Sequence, residues 1–429
     1  MKKNNFVYLF FVVITIFCFH NIWAEDINKL QNECHQGKME SCDFLGYLYE
    51  KGKKFDDNKN IPKNEKKSKE FYEKSCNGGL LRSCNTLGNF YQYGKGVHQD
   101  INKAKQLYEK SCNGNNLIGC GLLATLYESG NSIPQNYTKA KQLYEKVCNA
   151  GQRLGCHYLA DMYQYGKGVS QNNQKVAKLY EQACNQGENK SCDSLAILYH
   201  QGKDIPQNKS KAKDLFEKAC SNGYAWSCGT LGSFYKNGDS VPQNYAKAKE
   251  LFEKACNANI DLGCFELGLL YYNGLGVKQD YIKAKQMYEK ACNGTRASSC
   301  VNVGLLYHEG KGVSQNYEQA KKFYEKACQG NDMFGCATLG RTYYQHAQNI
   351  PQDYFKAKEL LEKTCYNNNI DIACDGLGVI YAEGKSVQRD FAKAKELFEK
   401  NCQAGYQISC NNLNILHENQ RNIEQRNKR

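Results

Sequence analysis

Cysteine recurs in this chain with a period that leaves few folds open. The first members of successive pairs stand at 76, 112, 148, 184, 220, 256, 292 and 328, a strict step of 36, and two steps of 37 reach Cys365 and Cys402. A unit of that length is one supersecondary element that cannot bury its own apolar face, so neighbouring units must stack. At the N-terminal end Cys34 precedes Cys76 by 42, and the six extra residues fall in GKKFDDNKNIPKNEKK, a surface-loop composition.

One unit shows what is stacked. In INKAKQLYEKSC, residues Ala104, Leu107, Tyr108, Ser111 and Cys112 lie at offsets 0, 3, 4, 7 and 8, one face of a helix. After the loop NGNNLIG, Cys120 opens a second stretch, CGLLATLYESG, in which Cys120, Leu123, Ala124 and Tyr127 repeat the offsets 0, 3, 4 and 7. The unit therefore reads as a helical hairpin, and no strand is predicted anywhere.

Comparing the eleven copies with one another sharpens the reading. Three residues after the second cysteine stands Leu in ten copies and Val303 in the other; four after it, Gly or Ala in ten, from Gly46 to Gly378. Glycine inside a helix costs about 1 kcal/mol against alanine, so its recurrence marks a close approach by a neighbouring helix. Seven after it stands Tyr in ten copies, read as core packing with the hydroxyl at a wet edge. Between units a Val or Ile recurs from Ile61 to Val387. Three residues later comes Asn or Asp every time, a cap for the next helix. All five prolines fall two residues before that cap and outside every predicted helix. The last copy, CNNLNILHENQ, carries Asn414 and His417 where others have the small residue and the tyrosine. These polar changes suit a terminal cap, and RNIEQRNKR beyond it reads as a charged, frayed tail.

The N-terminus, MKKNNFVYLFFVVITIFCFHNIWAED, has the basic, apolar and small-residue order of a secretory signal peptide. Its apolar run of 14 falls short of the ~20 residues of a spanning helix. Cys18 belongs to that segment. The remaining 22 of 23 cysteines then lie in an oxidising compartment, where bridges persist. The first cysteine of each pair ends one helix and the second begins the next, so a tight hairpin brings them within disulfide reach. The expected bridges are Cys34 with Cys42, Cys76 with Cys84, Cys112 with Cys120, Cys148 with Cys156, Cys184 with Cys192, Cys220 with Cys228, Cys256 with Cys264, Cys292 with Cys300, Cys328 with Cys336, Cys365 with Cys374, and Cys402 with Cys410.

The string VGLLYHEGKGVSQNYEQAKKFYEKACQG, residues 303–330, resembles the Sel1-like repeat, a relative of the tetratricopeptide repeat. With the C-x7-C pair and the leader added, the chain resembles the Helicobacter cysteine-rich protein family from about residue 25 to 417. The resemblance implies an all-α fold, an α/α solenoid in a right-handed superhelix with one disulfide per repeat, exported to periplasm or medium. It gives a leader over 1–24, an array of about eleven repeats over 25–417 and a tail over 418–429.

Some members of that family are described as β-lactamases or penicillin-binding proteins, so the resemblance also implies binding or hydrolysis of a β-lactam. The residues offer little for such chemistry. An S-x-x-K string occurs at Ser210–Lys213, but its counterparts in other units read TKAK, AKAK and IKAK, and neither S-D-N nor K-T-G accompanies it. His308–Glu309 and His417–Glu418 lack the second histidine of H-E-x-x-H. Without CxxC or CxxCH the cysteines are not zinc knuckles, a catalytic dithiol or a haem site, so no metal and no cofactor is expected. The eight histidines are scattered, at positions where exposure is the ordinary expectation.

Net charge +13, about +11 without Lys2 and Lys3, invites a polyanion, yet the lysines sit in KAK and EK units that form local Glu–Lys pairs on a solvated face, and export argues against nucleic acid. What varies is the sequence between the paired cysteines: NGGLLRS, NQGENKS, SNGYAWS, NANIDLG, QGNDMFG. The expected function is therefore an exported, monomeric scaffold that binds a protein, peptide or cell-wall fragment, with no membrane anchor. The β-lactam activity stands as the alternative. Trp226, beside Tyr224 in one such loop, is either a binding anchor or a ring lying across its own hairpin.

Overall fold

A computed structural model describes residues 26–56, 59–239, 241–345, 351–368 and 370–427; the leader read over 1–24, with Cys18, lies outside them. Among the described residues no helix is long and apolar enough to cross a membrane. Among the described residues twenty-two helices form eleven hairpins, divided between two compact units, Met1–Asn208 and Lys209–Arg429. The first unit holds hairpins 1 to 5: Asp26–His35 with Met39–Lys51, Glu65–Asn77 with Leu81–Tyr93, Ile101–Asn113 with Leu117–Ser129, Tyr137–Asn149 with Arg153–Tyr165, and Asn173–Asn185 with Asn189–Gln201. The second holds hairpins 6 to 11: Lys209–Ser221 with Ala225–Asn237, Tyr245–Asn257 with Asp261–Asn273, Tyr281–Asn293 with Ala297–Glu309, Tyr317–Gln329 with Met333–Tyr344, Tyr354–Asn368 with Asp371–Glu383, and Phe391–Gln403 with Gln407–Asn427.

Helix starts follow from the caps. Asn64, Asp100, Asn136 and Asn172 in the first unit, and Asn244, Asp280, Asn316, Asp353 and Asp390 in the second, each accept the backbone N–H three residues on. That bond satisfies one of the free donors of the first turn.

The second helix begins earlier than its cysteine. Leu117 opens it in hairpin 3, so Cys120 is its fourth residue and the true turn is only three residues long. A turn so tight needs a left-handed residue. Three positions after the first cysteine Asn115, Asn259 and Asn331 have φ near +60°, and Gly37, Gly79, Gly151, Gly187, Gly223 and Gly405 take the same role. In CNGTRASSC that place is held by Thr295, whose branched side chain disfavours the left-handed region. There Gly294 takes φ −80° and ψ −129°, and the Thr295 N–H and hydroxyl both donate to the Asp261 carboxylate, at 2.5 and 2.7 Å.

The small-residue column does what its spacing predicts. A Cβ built on Gly46 or Gly88 would lie within 2.8 or 2.4 Å of the ring of Tyr72 or Tyr108 in the next hairpin. In the second unit Gly268, Gly304 and Gly378 face Tyr288, Tyr324 and Phe398 in the same way. These rings, four residues before the first cysteine, are among the most deeply buried side chains of either unit.

Two features depart from the sequence reading. The six-residue insertion forms a short antiparallel ribbon, Lys53–Asp56 with Lys59–Ile61, because a lysine-rich loop of that length can pair its own backbone groups. The stretch read as a frayed tail continues the last helix to Asn427. The other second helices of complete hairpins mostly stop at a left-handed glycine such as Gly94, Gly130 or Gly310; Gln420 occupies that position here, so nothing halts the helix.

Candidate functional site

The eleven cysteine pairs are bridged, each between neighbouring helices of one hairpin, with Cα separations of 4.5–4.8 Å. Among the described residues no group of three or more His, Cys, Asp or Glu is placed to hold a metal.

The first helices present a uniform polar face. Lys and Glu four apart pair at equivalent places, for example Lys105 with Glu109, Lys249 with Glu253 and Lys321 with Glu325. Lysines also flank the tyrosine column: Tyr127 lies between Lys105 and Lys139, at 5.7 and 5.2 Å from the ring centre, and Tyr343 between Lys321 and Lys356, at 5.2 and 5.7 Å. The lysine two before the first cysteine is not merely solvated. Lys110 and Lys290 reach back 34 residues to the carbonyls of Cys76 and Cys256, at 3.0 and 2.7 Å, and cap the helix ends of the preceding hairpin.

Ser210 and Lys213 lie on one such first helix. The Lys213 ammonium is 2.9 Å from Asp214 and 3.3 Å from Glu217, and these partners hold its pKa above the ordinary lysine value. A lysine kept protonated cannot take the proton of a serine hydroxyl.

The second helices differ. Hydroxyls of the buried tyrosines rest on them, on residues five and eight after the second cysteine of the preceding hairpin. Tyr72 donates to Glu50, Tyr108 to Asn89 and Gln92, Tyr144 to Glu128 at 2.9 Å, and Tyr180 to Asp161 and Gln164. Lys167 completes the Glu128 site at 2.6 Å. In the second unit no bond of this kind is described, since Phe216, Phe252, Leu361 and Phe398 have no hydroxyl, and the clearest break is at Tyr324. Its preceding positions are Leu305 and His308, and its hydroxyl, like His308 Nδ1, is buried with no hydrogen-bond partner among the described residues. A buried donor left unpaired costs about 1–3 kcal/mol. Tyr144→Phe is accordingly expected to lower stability by about 1–2 kcal/mol in urea unfolding, whereas Tyr324→Phe leaves it unchanged or raises it.

His157 overturns the expectation of exposed histidines. It is 2% exposed, its Nδ1 is 2.8 Å from the Ser191 hydroxyl of the next hairpin, and Asp161 lies 3.7 Å from its Nε2. Sequence reasoning missed it because its column, one residue after the second cysteine, holds anything from Gly121 to Phe265. The set of Ser, His and Asp is not a hydrolytic triad: Ser191 is fully buried and offers no approach to a substrate. Burial lowers the His157 pKa from 6.5 to about 4, against the opposing pull of Asp161. The unfolded chain binds this proton near 6.5 and the folded chain only near 4, so folding stability falls as pH drops through that window. Between pH 7 and 4 the wild type is expected to lose about 1–3 kcal/mol more stability than His157→Gln, by urea midpoints at each pH.

Trp226 sits in the first turn of a second helix, not in a loop, and is 52% exposed. Leu154, Phe334 and Ile408 occupy the same position, two before the second cysteine, and are also exposed.

Two-helix units, one clip per unit and aromatic rings keyed into glycine notches define an all-helical repeat solenoid. The chain belongs to the Sel1 repeat family, whose model matches ten segments: residues 40–80, 81–116, 118–152, 154–188, 190–224, 230–260, 262–295, 297–332, 335–369 and 371–406. Each segment runs from one second helix into the following first helix, and eleven hairpins contain ten such junctions in sequence. Among solved structures the chain is similar to a protective antigen of uropathogenic Escherichia coli with the SLR fold. The TM-score is 0.59 at 21% identity, over 93% of this chain and 91% of that one. It is also similar to a Sel1 repeat protein of Oxalobacter formigenes, with TM-score 0.59, 20% identity, and 74% and 91% covered. Cysteine rich protein B of Helicobacter pylori is 35% identical over its whole length, which spans 31% of this chain, with TM-score 0.26. The search of curated proteins returned no match.

Proposed function

We propose that this chain is a disulfide-clipped scaffold of an oxidising compartment that binds a protein or extended peptide on its second-helix face. One observation carries the reading. Three residues before the first cysteine, on the first helices, Glu stands in ten copies of eleven, from Glu73 to Glu399. Five after the second cysteine, on the second helices, the copies read Tyr47, Asn89, Thr125, Asp161, Ile197, Ser233, Leu269, Leu305, Arg341, Val379 and Ile415, all partly or fully exposed. Fold alone demands no such variety at a surface position, whereas recognition of a specific partner does. The β-lactam reading draws no support from Ser210 and Lys213, so binding takes precedence over hydrolysis.

Photo-crosslinking tests it. A benzophenone amino acid placed at Ile197 or Leu305 is expected to give one adduct in the producing cell, and the same residue at Glu109 or Glu325 none. Adducts from the glutamate positions alone would overturn the assignment of the face.

A further inference from the structure

We propose that hairpins 8 and 9 carry a carboxylate-binding subsite made by the Arg341 guanidinium, the Tyr324 hydroxyl and the His308 ring, reading an acidic side chain or a free carboxyl terminus of the partner. It rests on the second-helix face being the binding face. The register of the repeat sets Tyr324 against Leu305 and His308 of hairpin 8, and Arg341 lies on the second helix of hairpin 9, which packs against the second helix that carries His308. Every tyrosine of this column in the first unit whose hydroxyl bond is described sends it to the fifth or eighth residue after the second cysteine of the preceding hairpin. For Tyr324 that row offers Leu305, which accepts nothing, and His308, whose Nδ1 is itself unpartnered among the described residues. The Tyr324 side chain is 0% exposed, and phenylalanine fills the same slot at Phe252 and Phe398, so packing alone does not call for the hydroxyl.

Arg341 stands at the fifth position in hairpin 9 and is partly exposed. No carboxylate of the described residues lies within ion-pair distance of it. The two nearby acids are engaged elsewhere: Glu309 with Lys311 at 2.7 Å, and Asp375 with Ser409 and Asn412 at 2.8 and 2.9 Å. The positive charge of Arg341 acts on both Tyr324 and His308, adding to the lowering of the His308 pKa by burial and opposing the burial that raises Tyr324. A planar guanidinium and a hydroxyl donor without acceptors suit one carboxylate, held two-pronged by the arginine and once by the tyrosine. Glu309 and Asp375 disfavour a doubly charged phosphate in the same place.

A random-peptide display library with free carboxyl termini, panned on the oxidised full chain, tests the subsite. The selected peptides are expected to share an Asp, Glu or terminal carboxylate at one fixed position. They should bind Arg341→Met at least about 10-fold more weakly and Tyr324→Phe several-fold more weakly, with the melting temperature of each variant not reduced. Selected peptides without a fixed acidic position, or binding Arg341→Met as well as wild type, would overturn the subsite and leave the scaffold reading standing. No enrichment on the wild type would overturn both.

Discussion

Reduction of the eleven bridges is expected to lower the thermal midpoint of the oxidised chain by more than about 10 °C, followed by far-UV circular dichroism with and without a phosphine reductant. Each bridge closes a loop of about nine residues, which in the chain-entropy model is worth roughly 2–3 kcal/mol. The clips do not add to a single sum, because each restrains only its own hairpin and a repeat array can open locally. Reduction should therefore broaden the transition as well as lower it, with the terminal hairpins opening first. A midpoint that moves by less than about 2 °C would show that the clips contribute nothing to folding stability. Removing one pair, Cys148→Ala with Cys156→Ala, tests locality: hydrogen exchange should rise in hairpin 4 and its immediate neighbours of the first unit and be unchanged in the second unit.

The second large effect is expected from filling a notch. Gly304→Val should cost about 3 kcal/mol or more, because even a Cβ there would stand 2.4 Å from the Tyr324 ring and 3.1 Å from the backbone oxygen of Ala320. Gly121 supplies the control. It is also inside a second helix, but a Cβ on it meets nothing within 4 Å, so Gly121→Ala should raise stability by about 0.5–1 kcal/mol through helix propensity alone. Urea midpoints of the two variants decide the matter. If Gly304→Val is tolerated as well as Gly121→Ala, the column reflects something other than close approach.

These two substitutions also show how far one sequence speaks for itself when it contains its own repeats. The eleven copies act as an internal comparison, so the notch at Gly304, the caps from Asn64 to Asp390 and the helical hairpin were legible in position and in purpose. Gly121 was distinguishable from Gly304 because only the latter's column stays small. The candidate site was legible only as a contrast between what repeats and what varies. Reading that variation in the loops between the cysteines placed it too narrowly: the turn is three residues, and most of the varying residues project from the second helix, Trp226 included.

Residues whose role depends on one particular neighbour stayed hidden. His157 looked like another scattered histidine, and only the next hairpin, with Ser191 against its ring, makes it a buried neutral group. Tyr324 looked like Tyr108 and Tyr144, and only Leu305 and His308 in the preceding hairpin leave its hydroxyl without an acceptor. The sequence by itself determined whatever repeats, the helical hairpins, their caps, the small-residue notch and a cysteine pair in every copy. Each of these depends on residues within one period and is written eleven times over. The tertiary structure alone decided which polar groups are paired, because that depends on side chains brought together from successive repeats, where every junction has a different set of residues to satisfy.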